Sequence, residues 1–247
     1  MNPTPDNLIF GIRTILEAIE AGKEIDKIFI KKDLAGDLAK QLFDAVKGRN
    51  IPVLRVPVEK IDRFTRKNHQ GAVAFISPIT YARTTALIPS LYEAGRMPFL
   101  VILDGVTDTR NFGAIARTCE CAGVDAVIIP QTGSAGVTPD AVKTSAGALL
   151  SLPICREHNL AYIVNFLKES GVTIVAASEK ATASYTDLDY NRPIAIVMGA
   201  EDTGISPEIA ALCDETVAIP INGRISSLNV SVAAGILIYE ALKHRTA

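Results

Sequence analysis

Apolar residues in the first third of the chain alternate between helical and extended spacing. They recur every three to four positions over 10–21, 34–47 and 58–66, which predicts three helices. Short apolar and β-branched runs over 25–30, 53–56 and 72–76 predict three strands. Gly22 and Gly48 follow the first two helices, and glycine is the residue that most often ends a helix. Residues 1–78 are therefore predicted to form a small α/β domain.

A stretch that contains several prolines interrupts this alternation. Pro78, Pro89 and Pro98 lie at its ends and in its middle, and only residues 90–94 have a brief helical pattern. Proline fixes φ and removes a backbone donor, so such stretches are typical of connections. Residues 79–97 are therefore predicted to be a linker between two domains.

The alternation resumes in residues 98–247, beginning with a run over 99–103 that is apolar throughout and typical of a strand buried on both faces. The pattern predicts further strands over 126–129, 172–176, 194–198 and 216–219, and helices over 111–122, 160–170 and 228–243. Shorter helices are predicted at Pro139 and Pro207, each after a capping residue, Thr138 and Ser206. Helices that alternate with buried strands predict a parallel sheet covered on both faces.

Charge is distributed unevenly between the two predicted domains. Residues 1–78 contain 13 Lys and Arg against 10 Asp and Glu, whereas the rest contains 12 against 17, for a net charge of −2. A mildly basic domain can face phosphates, although solvated surface charge explains the same balance. The basic residues of this domain that could contact phosphates are Arg13, Lys31, Lys32, Arg63, Arg66 and Lys67. His69 and Gln70 either contact the same partner or form a turn before the third strand.

Several classes of protein are disfavoured by the composition. No apolar run approaches the roughly 18 residues of a membrane span, and the polar start of the chain does not resemble a secretory signal. The four cysteines and three histidines lack the spacing of a metal site. We therefore expect a cytoplasmic protein with reduced, mostly buried thiols, no metal and no membrane partner.

Polar residues follow three of the predicted strands, and open α/β sheets bind ligands at such strand ends. After the strand 99–103, Asn111 and Arg117 lie six positions apart, slightly under two helical turns, and can face one cleft. An arginine among apolar helix positions needs a carboxylate, a phosphate or carbonyl groups. A structural ion pair for Arg117 and a helix cap for Asn111 are the alternatives.

The other two segments follow the strands 194–198 and 216–219. In the first, Gly199 precedes Glu201 and Asp202, and glycine allows the backbone to approach a ligand closely. Glu201 could instead cap a helix or pair with an arginine. The second segment holds a dense set of donors and acceptors: Asn222, Arg224, Ser226, Ser227, Asn229 and Ser231. Ser226 or Ser227 is predicted to cap the last helix.

Taken together, DGVTDTRNFGAIART, IVMGAEDTGIS and IPINGRISSLNVSVAAGI, in this order, resemble the SpoU (TrmH-like) family of RNA ribose methyltransferases in the SPOUT superfamily. IFGIRTILEAI and NHQGAVAF in the first domain resemble the substrate-binding domain of the RlmB-type branch, which modifies a guanosine of 23S ribosomal RNA. The resemblance spans nearly the whole chain.

The resemblance implies a knotted fold, a cofactor and a partner. The second domain, 98–247, is expected to thread its C-terminal segment through a loop to form a deep trefoil knot, an exception to the rule of unknotted chains. S-adenosylmethionine is expected to bind in the knot and to leave as S-adenosylhomocysteine. The matching pocket positions are Met198, Gly199, Ala200, Ile219, Ile221, Ser226 and Leu228. A homodimer that completes the active site across its interface is also implied.

The catalytic residues implied by the resemblance are Asn111, Arg117, Glu201, Ser227 and Asn229. A guanidinium stays charged in proteins, so we expect Arg117 to anchor a phosphate or to stabilise a developing alkoxide rather than act as a free base. The two asparagines and Ser227 are expected to orient the ribose and Arg117. Glu201 is expected to hold Arg117 or a loop in place.

The predicted function is methyl transfer from S-adenosylmethionine to a ribose 2′-hydroxyl, that of a guanosine in 23S ribosomal RNA. Transfer RNA as the substrate and an inactive RNA-binding or ribosome-assembly protein are the alternatives. Thr109 and Arg110 stand where relatives often carry Pro or His, which leaves the RNA target open. A nicotinamide-dependent oxidoreductase is disfavoured because no glycine-rich dinucleotide loop is present.

Overall fold

The computed structural model describes residues 7–245. The chain divides into two compact units, Met1–Thr80 and Tyr81–Ala247. Unit 1 contains β1 (Leu8–Phe10), α1 (Ile12–Glu20), β2 (Ile25–Lys31), α2 (Asp37–Val46), β3 (Val53–Val56), α3 (Val58–Phe64) and β4 (Ala72–Ile76). The predicted helices and strands of this unit are confirmed, apart from β1, whose residue Phe10 was predicted to begin the first helix.

Unit 1 is a four-stranded mixed sheet in the order β1-β4-β2-β3. Strand β4 is antiparallel to β1 and β2, and β2 is parallel to β3. Because side chains alternate along a strand, Ile28 faces α1 and α2, whereas Phe29 faces α3. There Phe29 packs against Phe64 and Phe75 at ring-centroid distances of 5.1 and 6.1 Å. Unit 1 thus has its own core on both faces of its sheet.

Unit 2 contains α4 (Thr84–Glu93), β5 (Phe99–Asp104), α5 (Thr109–Cys121), β6 (Ala126–Pro130), α6 (Pro139–Thr144), β7 (Ile154–Glu157), α7 (Leu160–Glu169), β8 (Thr173–Ala177), β9 (Ala183–Ser184), β10 (Ile194–Gly199), α8 (Pro207–Ala210), β11 (Glu215–Ala218) and α9 (Val230–Arg245). Its seven strands lie in the order β7-β6-β5-β10-β8-β11-β9, and every pairing is parallel. The prediction of a parallel α/β fold is confirmed.

Helices cover both faces of this sheet, as predicted. On one face α4, α7 and α8 pack over the strand residues Leu100 and Val197. On the other face α9 packs against β10 and α5. The strands in the middle of the sheet, β5 and β10, are buried along almost their whole length. Their carboxyl ends therefore emerge side by side from the core, with Asp104 in register with Gly199.

Residues 79–97 do not form the predicted linker. They contain the ten-residue helix α4, in which Ile88 and Leu91 are buried in the core of unit 2. Pro89 lies inside this helix, where it cannot donate the usual backbone hydrogen bond to the residue four positions earlier. At its start, the hydroxyl and backbone amide of the buried Thr84 both donate to the Glu157 carboxylate, at 2.6 and 3.1 Å. Packing on the sheet explains why the helix forms despite its prolines.

Strand β7 was not predicted, because only two of its four residues, Ile154 and Cys155, are apolar. Arg156 is nonetheless buried, with its guanidinium 3.9 Å from the centre of the Tyr81 ring. The short β9 was missed as well, since two residues carry no periodicity. An edge strand and a charged strand are the parts of a sheet that hydrophobic patterns identify least well.

The C-terminal end of α9 is fixed by Arg245. Its guanidinium donates to the carbonyl oxygens of Arg192 at 2.6 Å, Tyr190 at 3.2 Å and Pro98 at 3.4 Å, and also to that of Met97. Partial burial lowers the pKa of Arg245. Hydrogen bonds from a charged group are worth more than neutral ones, so this residue holds the last helix against the start of β5.

Candidate functional site

A cavity of about 300 Å³ opens at the carboxyl ends of β8, β10 and β11. Three segments surround it: residues 177–180, 198–204 and 219–230, with Ala233 and Leu237 of α9 behind them. All seven positions predicted to bind the cofactor line this one cavity: Met198, Gly199, Ala200, Ile219, Ile221, Ser226 and Leu228. Volumes of about 300–1,000 Å³ are typical of small-molecule sites.

Gly199 allows the wall of this cavity to form. A Cβ atom at Gly199 would lie 2.2 Å from the carbonyl carbon of Gly204 and from the backbone nitrogen of Ile205. The chain turns back here through a pair of hydrogen bonds between Ala200 and Gly204, with N–O distances of 3.0 and 2.9 Å. Only a residue without a side chain lets this turn close against the end of β10.

Asn229 joins the three polar segments through its side-chain amide. Its Nδ2 donates to Oε1 of Glu201 at 2.6 Å and to Oδ1 of Asn111 at 3.0 Å. Its Oδ1 accepts from the backbone amide and the hydroxyl of Ser231, at 3.0 and 2.5 Å. A carboxylate can only accept and a backbone amide can only donate, so these partners fix the orientation of the amide.

This network fits one of the roles predicted for Glu201. The residue was expected to hold Arg117 or a loop in place, with a helix cap or a pair with an arginine as the alternatives. Its carboxylate accepts from Asn229 and so joins the turn after β10 to the segment before α9. Asp202 and Thr203 of the same turn line the cavity.

Two helix caps differ from those predicted. Asp108 is the N-cap of α5, and its carboxylate accepts from the backbone amides of Arg110 and Asn111 at 2.8 and 2.9 Å. This leaves the Asn111 side chain available to Asn229. Helix α9 begins after Asn229 rather than after Ser226 or Ser227, which are exposed residues of the preceding segment. Asn229 takes the capping role because its side-chain oxygen accepts from the backbone amide of Ser231, two residues ahead.

The predicted caps of α6 and α8 have different outcomes. Thr138 caps α6 through its hydroxyl, which accepts from Ala141, so that prediction is confirmed. Ser206 occupies the N-cap position of α8, but its side chain makes no capping hydrogen bond. Its backbone amide donates instead to Oδ2 of Asp104 at 2.7 Å. This bond ties the segment after the cavity to the end of β5.

Arg117 lies on α5, as predicted, but not in an apolar setting. Its side chain is exposed, whereas its neighbours Ile115 and Ala116 are buried. Within residues 7–245, Arg117 makes no hydrogen bond or ion pair, so the structural ion pair considered for it is absent from that part of the chain. Ser227 lines the cavity without joining the network of Asn229.

Residues 177–180 line the cavity and were not predicted. Ala177 ends β8 and the other three follow it directly, with Glu179 and Lys180 exposed. The signal that could have found them is their position after a buried parallel strand. A short polar run after a strand is also typical of an ordinary turn, so this pattern alone does not indicate a ligand site.

The basic residues predicted in unit 1 are mostly exposed. Arg13, Lys32, Arg63, Arg66 and Lys67 face solvent, and Lys31 is half-buried with its ammonium 3.6 Å from Asp33.

His69 and Gln70 have structural partners that fit the turn interpretation. His69 Nδ1 accepts from the backbone amide of Gly71 at 3.0 Å, and Nε2 contacts Asp62 at 2.9 Å. Gln70 has a φ of 52° and accepts from the backbone amide of Ile12.

The described residues contain no group of three or more His, Cys, Asp or Glu that could hold a metal ion. Cys119 and Cys155 are buried, Cys213 is partly buried and Cys121 is exposed. Burial raises the pKa of Cys155 to about 12. No helix within residues 7–245 is long and apolar enough to cross a membrane.

Comparison with known proteins covers nearly the whole chain. Residues 98–239 match the SpoU rRNA Methylase family, and residues 8–82 match the family of RNA 2′-O ribose methyltransferase substrate binding domains. A protein of Staphylococcus haemolyticus assigned to the TrmH family of tRNA/rRNA methyltransferases is 36% identical over 240 residues, which cover 97% of this chain and 96% of its own. The Bacillus subtilis TrmH-family protein YacO is 31% identical, covering 96% and 95%.

Solved structures give the same assignment. The SpoU methyltransferase AviRb from Streptomyces viridochromogenes, in complex with AdoMet, is 26% identical with a TM-score of 0.62, covering 97% of this chain and 90% of its own. An AdoMet-bound rRNA methyltransferase from Sinorhizobium meliloti is 26% identical with a TM-score of 0.61, covering 96% and 87%. With both units matched and the three polar segments joined through Asn229, the chain belongs to the SpoU (TrmH) family of RNA methyltransferases.

Proposed function

We propose that this protein transfers a methyl group from S-adenosylmethionine to the ribose 2′-hydroxyl of a guanosine in 23S ribosomal RNA. The observation that carries the proposal is the network of Asn111, Glu201 and Asn229 beside a cavity lined by the predicted cofactor residues. The matching family of the first unit is named for 2′-O ribose methyltransferases, which supports the ribose as the acceptor.

The cavity fits S-adenosylmethionine in size and chemistry. Met198, Leu228 and Leu237 offer apolar contact to an adenine ring, while Ser178, Ser226 and Ser227 offer hydroxyls. AviRb and the Sinorhizobium protein, which share this fold, were both solved with AdoMet. When bound, the cofactor supplies a methyl group that its sulfonium makes electrophilic. The residues of the chain have to position the ribose oxygen and assist the removal of its proton.

Arg117 and Asn111 are the groups that we assign to the ribose and its phosphate. The 2′-hydroxyl is a very weak acid, and a charged guanidinium cannot accept its proton. Exposed Arg117 instead anchors the neighbouring phosphate, which accepts the proton, or stabilises the developing alkoxide while the proton passes to water. Asn111 uses its carbonyl oxygen on Asn229, so its amide hydrogens remain available to donate to an RNA oxygen. Glu201 and Ser227 complete the proposed set by holding Asn229 and lining the cavity.

We assign RNA binding to unit 1 and a trefoil knot to unit 2. The exposed basic residues of unit 1 are suited to phosphate contacts on folded RNA, with unstacked bases available for reading. The knot is supported by the three separate segments of chain that surround the cofactor cavity. An experimental structure that traces the chain without a break through residues 170–245 tests the knot directly.

A homodimer through α9 completes the proposal. Val232 and Tyr239 lie seven positions apart on α9, and each residue is 51% exposed. An exposed apolar stripe of this kind is typical of a surface that a second copy covers. We expect V232E/Y239E to sediment as a monomer where the wild type sediments as a dimer. Tyr162 on α7 is 62% exposed and serves as the control, so Y162E should leave the dimer intact. A dimeric V232E/Y239E would contradict this interface.

The RNA target is tested by methyl transfer in vitro. Purified protein, S-adenosylmethionine with a tritiated methyl group, and separate pools of unmodified ribosomal and transfer RNA are combined. We expect label in 23S RNA, at a site that resists alkaline hydrolysis as a 2′-O-methyl nucleotide does. Label in transfer RNA alone favours the second candidate, which has support from the Aquifex aeolicus TrmH/SpoU tRNA modifying enzyme, 31% identical over 66% of this chain. No label in either pool points to an inactive RNA-binding protein.

A further inference from the structure

A second cavity, of about 390 Å³, opens at the other side of the same sheet edge. It lies beyond the carboxyl ends of β5, β6 and β7, where it meets the starts of α7 and α8. Its polar side chains are Asp104, Thr132, His158, Asn159, Ser206 and Glu208, and Pro130 and Leu160 add apolar surface. None of these residues belongs to the proposed cofactor or catalytic set.

The two cavities share a wall. Asp104 of the second cavity pairs in register with Gly199 of the first. A Cβ at Gly105 would lie 3.4 Å from the Cβ of Ala200, so these two neighbours are in van der Waals range. The hydrogen bond from the Ser206 amide to Asp104 joins the segment after the first cavity to the end of β5 in this wall. The two cavities are therefore immediate neighbours at one edge of the sheet.

Some polar groups of the second cavity already make hydrogen bonds within the protein, and others do not. Asp104 accepts from Ser206, and the Asn159 carbonyl accepts from the backbone amide of Tyr162 at 2.8 Å, so both are held by the fold. Glu208, His158 and Thr132 make no hydrogen bond with the residues that the structure describes. The free carboxylate of Glu208 is the strongest acceptor that the cavity offers to a ligand.

The charge of the cavity selects the kind of ligand. Within residues 7–245 no Lys or Arg lines it, whereas two carboxylates do. A phosphate group is repelled by such a lining, and a group that presents N–H donors is attracted. The described residues include no cluster suited to a metal ion, which separates this cavity from a cation site. A flat ligand with apolar faces and a donor-bearing edge fits this combination.

We propose that the second cavity binds an unstacked guanine base of the substrate RNA, and this proposal rests on the function proposed above. Guanine carries its ring N1–H beside its exocyclic amino group, so both can donate to the two oxygens of the Glu208 carboxylate. Uracil offers one ring donor, and adenine and cytosine offer an amino group without an adjacent ring N–H. Pro130 and Leu160 cover the faces of the base, and His158 and Thr132 reach its other polar atoms.

The test measures the binding of three fluorescent RNA heptamers, UUUGUUU and its analogues with inosine or adenosine at the fourth position, at one fixed salt concentration. Inosine keeps the ring N–H but lacks the amino group. We expect wild type to bind the guanosine heptamer about tenfold more tightly than the inosine one, as a bidentate contact implies. E208Q should reduce this ratio to below twofold, because an amide has only one acceptor oxygen.

Two controls separate this proposal from the proposed function. E169Q makes the same change of charge at an exposed position on the last turn of α7 and should keep the tenfold preference. S-adenosylmethionine binding and methyl transfer to ribosomal RNA are measured on the same samples, and the wild type's values report the proposed function alone. Equal binding of the guanosine and inosine heptamers by wild type, weak or strong, overturns the guanine site. A preference that survives E208Q overturns the assignment to Glu208.

Discussion

R117A is expected to lose methyl transfer while it keeps the cofactor. We expect kcat/KM to fall by about 10²–10⁴-fold, the range found when a charge-stabilising or proton-transferring group is removed from an active site. Arg117 is absent from the lining of the cofactor cavity, so the dissociation constant for S-adenosylmethionine should stay within about twofold. Transfer of tritiated methyl to ribosomal RNA measures the first quantity, and isothermal titration calorimetry measures the second.

The environment of Arg117 makes this variant easy to interpret. The side chain is exposed and has no partner within residues 7–245, so its loss should change the free energy of unfolding by no more than about 0.5 kcal/mol. R110A, on the same helix and also exposed, serves as the control for the loss of one positive charge and should keep most of its activity. R117K adds a further distinction, since lysine keeps the charge but loses the forked geometry. Turnover near the wild-type value in R117A would exclude the assigned role.

The fold was predictable where patterns are local. Buried strands such as β5 and β10 are continuous apolar runs, and helix ends are marked by glycine or by a capping residue such as Thr138. The failures depend on contacts that are distant in sequence. Helix α4 forms because Ile88 and Leu91 find a core to pack on, a fact that its prolines conceal. Strand β7 pairs with β6, and its Arg156 is covered by the ring of Tyr81, 75 positions away in the chain.

The site was predictable as a set of residues and less so as a set of contacts. All seven cofactor positions that the family resemblance named lie at the first cavity, although the structure adds others there, such as Ser178 and Leu237. It could not show that Asn229 is the centre of the network, because its partners Asn111 and Glu201 are 118 and 28 positions away. The exposure of Arg117 was also unpredictable, since a helix pattern with many buried neighbours suggests a buried arginine. Which side chains meet is decided by the register of the parallel strands.

G199A should damage both the fold and the cofactor site. The added Cβ meets backbone atoms of Gly204 and Ile205, each at 2.2 Å, and backbone cannot move aside as a flexible side chain can. Overpacking of buried positions costs about 1–3 kcal/mol, and a clash with backbone on two sides should reach the upper end or exceed it. We expect the melting temperature to fall by about 6–12 °C for a loss of about 3 kcal/mol. Circular dichroism is the suitable probe because the chain contains no tryptophan.

The same substitution at Gly235 serves as a control, because it is expected to raise the melting temperature rather than lower it. Gly235 lies inside α9, and its added Cβ would come no closer than 3.9 Å to Thr118, an ordinary van der Waals contact. Replacing glycine with alanine inside a helix stabilises it by about 0.5–1 kcal/mol, so G235A should melt above the wild type. G199A should also bind S-adenosylmethionine at least about tenfold more weakly, since relief of the clash must displace the turn that forms the cavity wall. If G199A melted and bound like the wild type, the closure of residues 200–204 against β10 would be wrong, and with it the shape of the cofactor cavity.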